Sequence, residues 1–539
     1  MRASELTVAI PTRDRWPILE RTLAALRAQT VTGFETVVVC DGADQRPPSW
    51  LAAREDVRAL GQAHEGPGPA RNLAAAQSRR PLLLFLGDDM IPAPDLVQRH
   101  LERHAAHPQA EVAVLGHVDW HPEVAGGRLM RWLDWSGAQF DYRQLLREGG
   151  AEAGFGRFYS CNVSLKRQLF EAGGGFDPRF RFDYEDLDLG WRLDQQGMRL
   201  LYEPRAVTLH LHRHSWDSIV ARYRSRAQGE RLMQAKHPWF TPWFAQRLAV
   251  QAAQPPVSVL WPLVVDLVPA RLAPLRERVQ RRADRWYGQR LAGPFQATWE
   301  GERDLEELQE YLGDRYDHDR LVHHRRVLDE EAAAVGDEAR FYRSSEHYLY
   351  DLTAFSMSGV KDPYRHELQS LLPPGATVLD YGCGIGSDGL RLLEAGLRVS
   401  FADYDNPSTR YLRWRLARRG LAAAIHDLDG EVPGGFDAAF AFDVIEHVAE
   451  PLAFLGELER RAAIVMVNLL EPLPGETSLH RPLPIATILA RAARLGLLRY
   501  RRFDHGRSHL IAYRSDRRPG TLAGAGSVAQ LMRGALSRG

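Results

Sequence analysis

Residues 82 to 96 read LLLFLGDDMIPAPDL. An apolar run passes straight into Gly87, Asp88 and Asp89, and two prolines close the stretch. A short apolar run bounded by glycine and proline is the pattern of a buried strand. An unbroken apolar strand in turn belongs to a parallel sheet covered on both faces. The two acids at its carboxyl end admit two readings: a solvated acidic turn, or a site that holds a hard divalent cation.

Working outward, LTVAIPT and FETVVVCDG read as strands, and WPILERTLAALRAQT and ARNLAAAQS as helices. Ile18, Leu19, Leu23 and Leu26 recur at helical spacing. This rhythm over residues 1 to 115 predicts an α/β fold whose ligands bind beyond the carboxyl ends of the strands. A second β-α rhythm begins at ATVLDYGCGIGSDG, and RLAPLRERVQRRADRWYGQR and ERDLEELQEYL between the two are charged and helical. The predicted organisation is a first domain over 1–250, a mainly helical connector over 251–344, a second domain over 345–516 and a flexible tail over 517–539.

A chain of 539 residues exceeds one ordinary core. Lys+Arg and Asp+Glu both number 69, so no basic excess supports nucleic-acid binding. Cys40, Cys161 and Cys383 lie far apart without a CxxC pair, which argues against a disulfide framework or structural zinc and fits a reducing cytoplasm. The opening residues lack the apolar core of a signal peptide. The best membrane candidate, residues 257 to 272, is broken by Pro262, Asp266 and Pro269, so no transmembrane segment is expected. Peripheral contact with the inner face of the cell membrane is left open, and oligomeric state is unreadable.

Four predicted strand ends in the first domain would surround one crevice: Pro11-Thr12-Arg13-Asp14, Cys40-Asp41-Gly42, Gly66 to Asn72, and Gly87-Asp88-Asp89. There Asp41 suits a base or ribose, Arg71 a phosphate, and Asp88 with Asp89 a cation bridging diphosphate oxygens. Downstream, Glu185 and Asp186 open a helical pattern. An anion at a helix N-terminus suits a general base, although helix capping explains the same pair. His210, His212 and His214 alternate, as on one face of a strand, where they complete a metal shell or simply face solvent.

The stretches VAIPTRDR, VVVCDG, GPGPARN, LFLGDDM, SCNVSLKRQLFEAGGGFDPRF, YEDLDLGWRL and EPRAVTLHLH, taken in order, resemble the family-2 glycosyltransferases of GT-A fold. The resemblance implies a nucleotide-sugar donor contacted by Pro11, Thr12, Arg13, Asp41, Arg71 and Asp88. It implies Mn²⁺ or Mg²⁺ on Asp89, with Asp88 and His210 assisting. Asp186 is implied as the base for an acceptor hydroxyl, with Glu185 as the lesser candidate, and the transfer inverts at the sugar carbon. Cys40 and Gly87 depart from the family by standing where acids are common.

In the second domain VLDYGCGIG ends a strand in a glycine turn. Gly384, Gly386 and Gly389 form a formal GxGxxG, which alone permits a dinucleotide. Asp380 inside the turn would repel a pyrophosphate and pair with an ammonium group instead. Asp403 ends the next strand, where it suits both hydroxyls of a ribose, and Asp427 follows beside an adenine edge. Asp443, Glu446 and His447 share a face if helical, as an ion site, a base, a pocket lining or a capping box.

These residues resemble a class I S-adenosylmethionine-dependent methyltransferase with a Rossmann-like fold. The resemblance implies a cofactor site of Asp380, Gly382, Cys383, Gly384, Gly386, Asp403, Tyr404, Asp427, Leu428 and Asp443, with His447 as a catalytic candidate. Together the two resemblances imply a bifunctional cytoplasmic enzyme that glycosylates and methylates a glycan or lipid-linked glycan in surface polysaccharide or glycolipid synthesis. The rivals are an active methyltransferase with a degenerate glycan-binding first domain, and a non-catalytic assembly scaffold.

Overall fold

The computed structural model describes residues 1–42, 46–471 and 479–515. The tail expected over 517–539 lies outside the described residues. The chain divides into two compact units, Met1–Gln296 and Ala297–Gly539. The division falls inside the stretch expected as a connector, so its halves go with different units. One helix, Ala273–Leu312, contains the dividing point.

The first unit is built on one mixed sheet. Its strands are β1 (Leu6–Thr12), β2 (Glu35–Asp41), β3 (Arg58–Gln62), β4 (Leu82–Leu86), β5 (Met90–Pro92), β6 (Val112–Trp120), β7 (Asn162–Lys166) and β8 (Arg199–His210). They lie in the order β3-β2-β1-β4-β7-β6-β8-β5. β3, β2, β1 and β4 are mutually parallel, so their carboxyl ends share one edge. β7 runs antiparallel to β4 and begins that second half of the sheet. Every residue of β4 is buried, as the apolar run LLLFL requires. Each such leucine contributes about 2 kcal/mol relative to exposure.

The helix Pro67–Gln77 starts at Gly66, whose φ of 103° suits glycine. A Cβ at Gly66 would also come within 2.3 Å of Arg181 O.

The second unit holds β9 (Thr377–Tyr381), β10 (Arg398–Asp403), β11 (Ile425–Asp427), β12 (Phe436–Ala441), β13 (Ala462–Leu470), β14 (Leu497–Phe503) and β15 (Ser508–Arg514). Their order is β11-β10-β9-β12-β13-β15-β14. The first five are parallel, and β15 is antiparallel to both β13 and β14. A buried ion network fastens the end of the long helix: Asp304 and Glu307 meet Arg391, Arg415 and Arg419, with Arg415 Nε to Glu307 Oε2 at 2.8 Å.

Two local expectations need correction. β8 ends at His210, so His212 and His214 lie beyond it rather than on one strand face. The chain turns there because the Leu211 N–H donates to Asp89 O at 2.8 Å and Ser215 caps the next helix, Trp216–Lys236. Asp443 is not helical: its φ is +54°, and only Ile445–His447 form a short 3₁₀ turn. Asp443, Glu446 and His447 therefore share no helix face, and Val444 rather than Asp443 precedes the turn as its cap.

Candidate functional site

In the first unit the strand ends enclose a cleft of about 670 Å³. Its lining includes Pro11, Thr12, Arg13, Asp41, Arg71, Asp88, Asp89, Glu185, Asp186 and His210, so the candidate residues of this domain meet in one place. It also includes His212, and with it Arg15, His64, Ser160 and Arg222, four residues to which the sequence assigned no role.

Sheet register explains part of this convergence. Met90 of β5 pairs with His210 of β8, which brings the histidine beside Asp89. His210 Nε2 lies 3.3 Å from Asp89 Oδ2, and His212 Nδ1 lies 3.6 Å from the same oxygen. Asp88 is fully buried and accepts from Thr12 Oγ1 at 2.7 Å. The Arg15 guanidinium bridges the two acids, with Nε to Asp88 Oδ2 at 3.1 Å and Nη1 to Asp89 Oδ2 at 2.6 Å. Burial and then Asp89 push the Asp88 carboxyl up to about 7. Against burial, the His210 ring, Arg15 and His212 hold Asp89 well below the carboxylate range. Gly87 has a local reason to lack a side chain, since a Cβ there would approach Asp89 Oδ1 to 3.0 Å.

The Asp89 carboxylate with an imidazole nitrogen on either side of it is a donor set of a kind that takes a divalent cation. The His210 Nδ1 atom is buried without a hydrogen-bond partner, and its ring stacks on Trp120 at 5.0 Å. The ring is thus oriented by packing, with Nε2 toward Asp89.

Asp41 is held by its own chain. Its oxygens accept from Gln62 Nε2 (2.9 Å), His64 Nδ1 (2.9 Å), Glu65 N (2.8 Å) and Gly66 N (3.0 Å). Arg13 Nη1 in turn donates to His64 Nε2 at 2.9 Å. Asp41 in this state braces the loop that precedes Arg71. The Arg71 Nε and Nη1 atoms are buried and lack hydrogen-bond partners, with Glu185 Oε1 at 3.5 Å.

Asp183 and Tyr184 both adopt positive φ, 59° and 71°, immediately before the helix Glu185–Gln195. Such strain in non-glycine residues marks an over-determined turn, and this one delivers Glu185 and Asp186 to the cleft. Asp186 Oδ2 accepts the Ser160 N–H at 3.1 Å, and Oδ1 is buried without a partner. Burial raises the Asp186 carboxyl above its ordinary value, although Arg71 and Ser160 oppose this. Burial and then Asp186 push Glu185 to about 8.

In the second unit Asp427, Asp403, Asp380 and Asp443 stand at or just beyond the ends of β11, β10, β9 and β12, in that spatial order. Gly382, Gly384 and Gly386 have φ of 74°, 52° and 70°, and a Cβ at Gly384 would meet Leu352 at 2.8 Å. Asp403 accepts from Gly384 N and Tyr404 N, both at 2.7 Å, and burial pushes it to about 6. Asp380 accepts Gly389 N at 3.1 Å, and burial with Asp388 raises it well above the carboxylate range. Asp427 is exposed and accepts Asp429 N at 3.1 Å. Cys383 and Leu428 flank these acids along the chain. This acid row with a glycine cradle fits a ligand that carries an ammonium group and a ribose.

Asp443 is tied to Asn468 at 2.5 Å and faces Lys361 Nζ at 3.4 Å. His480 joins Glu446 and His447 instead: ligand atoms of these three lie within 4.8 Å of one another. Both Glu446 oxygens are buried without hydrogen-bond partners. Tyr342 OH meets His447 Nδ1 at 3.0 Å. Neither Tyr342 nor His480 carries a local sequence signal; each depends on tertiary contact.

Among the described residues no helix is long and apolar enough to cross a membrane. Residues 7–165 match the family model described as Glycosyl transferase family 2, and residues 379–463 match that described as Methyltransferase domain. Validoxylamine A glucosyltransferase of Streptomyces hygroscopicus subsp. jinggangensis is 31% identical over 226 residues, 36% of this chain and 52% of that protein. The chain thus spans about half the length of this curated relative. The ubiquinone biosynthesis O-methyltransferase of Xanthomonas campestris pv. campestris is 32% identical over 87 residues, 15% of this chain and 36% of that protein. A solved mannosyltransferase from Pyrobaculum calidifontis, in complex with GDP-Man and Mn²⁺, aligns with TM-score 0.35 and 19% identity over 53% of this chain and 85% of its own. The chain thus joins a domain that matches the family-2 glycosyltransferases to one that matches a methyltransferase domain on one polypeptide.

Proposed function

We propose that the chain is a bifunctional transferase. The first unit moves a sugar from a nucleotide-sugar to an acceptor hydroxyl with inversion, and the second methylates an oxygen of a glycan or sugar-linked acceptor. The observation that carries the first half is Asp186: a buried, partnerless Oδ1 in a cleft that also holds Arg71, Asp88 and Asp89. Asp186 Oδ1 takes the hydroxyl proton as the acceptor oxygen forms its bond to the sugar carbon. The bond from that carbon to the diphosphate oxygen breaks on the opposite face. Arg71 supplies buried, unused donors to the diphosphate. A divalent cation held by Asp89, His210 and His212, with Asp88 behind them, supplies positive charge to the leaving group when bound.

In the second unit Asp403 orients the ribose and Asp380 the ammonium group of S-adenosylmethionine, which supplies an electrophilic methyl group when bound. His447 stands beyond β12 as the residue that receives the acceptor proton. Both reactions are assigned to the cytoplasm. Exposed Trp239, Trp243, Leu260 and Leu267 are offered to a membrane surface when the acceptor is lipid-linked. Surface polysaccharide or glycolipid synthesis is the proposed setting.

The test is mass spectrometry of acceptor glycans incubated with the full chain, Mn²⁺, S-adenosylmethionine and UDP-, GDP- and dTDP-sugars in turn. Products carrying both a sugar and a methyl group support the reading. Methylation without glycosyl transfer or donor hydrolysis under any donor would overturn its first half.

A further inference from the structure

Arg15 makes contacts that no role assigned so far uses. It lies between Asp14, whose φ is +55°, and the helix Trp16–Arg27. Its guanidinium pairs with Asp88 through Nε and Nη2 and with Asp89 through Nη1. Nη1 also donates to His212 Nδ1 at 3.3 Å. Asp89 Oδ2 therefore meets Arg15 Nη1 and His210 Nε2, while His212 Nδ1, the acceptor of the same Arg15 donor, lies 3.6 Å from it. These are the atoms that would ligate a cation, and two positive groups cannot occupy one oxygen at bonding distance without strong repulsion.

From this geometry we infer that Arg15 is a tethered occupant of the cation position, so that a divalent cation reaches Asp89 only by displacing it. The exposures give the direction of movement. The Arg15 side chain is 38% exposed, whereas Asp88 and Asp89 side chains are 0% and 8% exposed. The acids are fixed in the sheet edge and the guanidinium has a path outward. A displaced guanidinium must find another anion, and a nucleoside diphosphate in the same cleft offers one with charge-assisted, bidentate geometry. Cation and diphosphate then bind cooperatively: each makes the exchange of Arg15 from carboxylate to phosphate less costly for the other, and by linkage the effect is reciprocal. The acids stay neutralised when neither ligand is present.

The inference rests on Asp89 being the cation ligand, and the experiment separates the two. Free Mn²⁺ is followed by electron paramagnetic resonance as it is titrated into the full chain, alone and with UDP or GDP. Asp89→Ala defines how much binding belongs to this site. Arg15→Gln is expected to bind Mn²⁺ alone about tenfold or more tighter than the native chain, the worth of a hydrogen bond to a charged group. Its enhancement by nucleotide should shrink by the same factor, and Arg15→Lys should fall between the two. If Asp89→Ala loses no Mn²⁺ binding, the cation reading itself fails and the inference with it. If Asp89→Ala loses the site but a folded Arg15→Gln and Arg15→Lys bind Mn²⁺ no tighter than the native chain, the inference alone is overturned.

Discussion

Asp186 Oδ2 is pinned by the Ser160 N–H at 3.1 Å, which leaves Oδ1 as the oxygen with no partner. Glu185, one residue earlier, faces Arg71 and is pushed to about 8 by burial and by Asp186. Glu185 therefore keeps its proton near neutrality, and Asp186 is the acid with an oxygen left free. Asp186→Asn is expected to lower glycosyl transfer by about 10²–10⁴-fold, the usual worth of a positioned base. Glu185→Gln imitates the neutral form already present and should cost only a few-fold. Steady-state rates of donor turnover check both, and methyl transfer to a pre-glycosylated acceptor should be unchanged in either variant. Equal losses in the two variants would remove Asp186 from its role.

The raised Glu185 carboxyl also has a stability consequence. In the unfolded chain it ionises near its ordinary value of 4.5, whereas in the fold it keeps its proton to about 8. Its contribution is fully present below the unfolded value and is lost as pH rises toward the folded one. Glu185→Gln cannot ionise, so its melting temperature should exceed that of the native chain at pH 8 and the gap should close at pH 5. Calorimetric scans at the two pH values test this. A gap that widens at pH 5 contradicts it.

His100 and His104 lie on the helix Leu96–Ala106 and are both fully buried. They share Ser164 Oγ at 2.8 Å each, and His100 also meets Asn162 Oδ1 at 3.0 Å. Burial depresses His100 to about 4 and His104 well below its ordinary value of 6.5. Glu203 nearby favours a charged His100, and Lys166 opposes charge on His104. As pH falls below 6.5 the unfolded chain takes up protons that the fold refuses, so stability is lost on acidification. Each histidine costs about 1.4 kcal/mol per pH unit in that window. The melting temperature of the native chain should drop between pH 6.5 and 4, and His100→Asn should flatten the decline.

Strand ends were legible because an apolar run followed by an acid is a local pattern. Thus Asp41, Asp88, Asp89, Asp380 and Asp403 all stand where the sequence puts them. What closes on those acids was not legible, because it depends on partners far along the chain. Arg15 reaches Asp88 across 73 positions, and His210 reaches Asp89 across 121. The pairing of Met90 with His210 sets that second contact, and neither residue announces it. His480 lies far along the chain from Glu446 and His447 and meets them only in the fold. Asp443 misled for a local reason: its backbone turns to a φ of +54° where the spacing suggests a helix.

Asp403 carries the last prediction. Its oxygens each accept a backbone N–H, from Gly384 and Tyr404, and burial lifts the carboxyl to about 6. Both backbone bonds favour the anion, and so do the ribose hydroxyls it would receive. Binding of S-adenosylmethionine should therefore weaken as pH falls through about 6, where the acceptor becomes a donor. Asp403→Asn loses the charge and turns an amide N–H toward one of two backbone donors. Its affinity should fall by about tenfold to a hundredfold, the worth of one to two hydrogen bonds to a charged group, and should no longer depend on pH in that range. Isothermal titration calorimetry at pH 5.5, 6.5 and 7.5 measures both effects on the full chain. An affinity in the native chain that is flat across those values would mean that Asp403 does not hold the ligand.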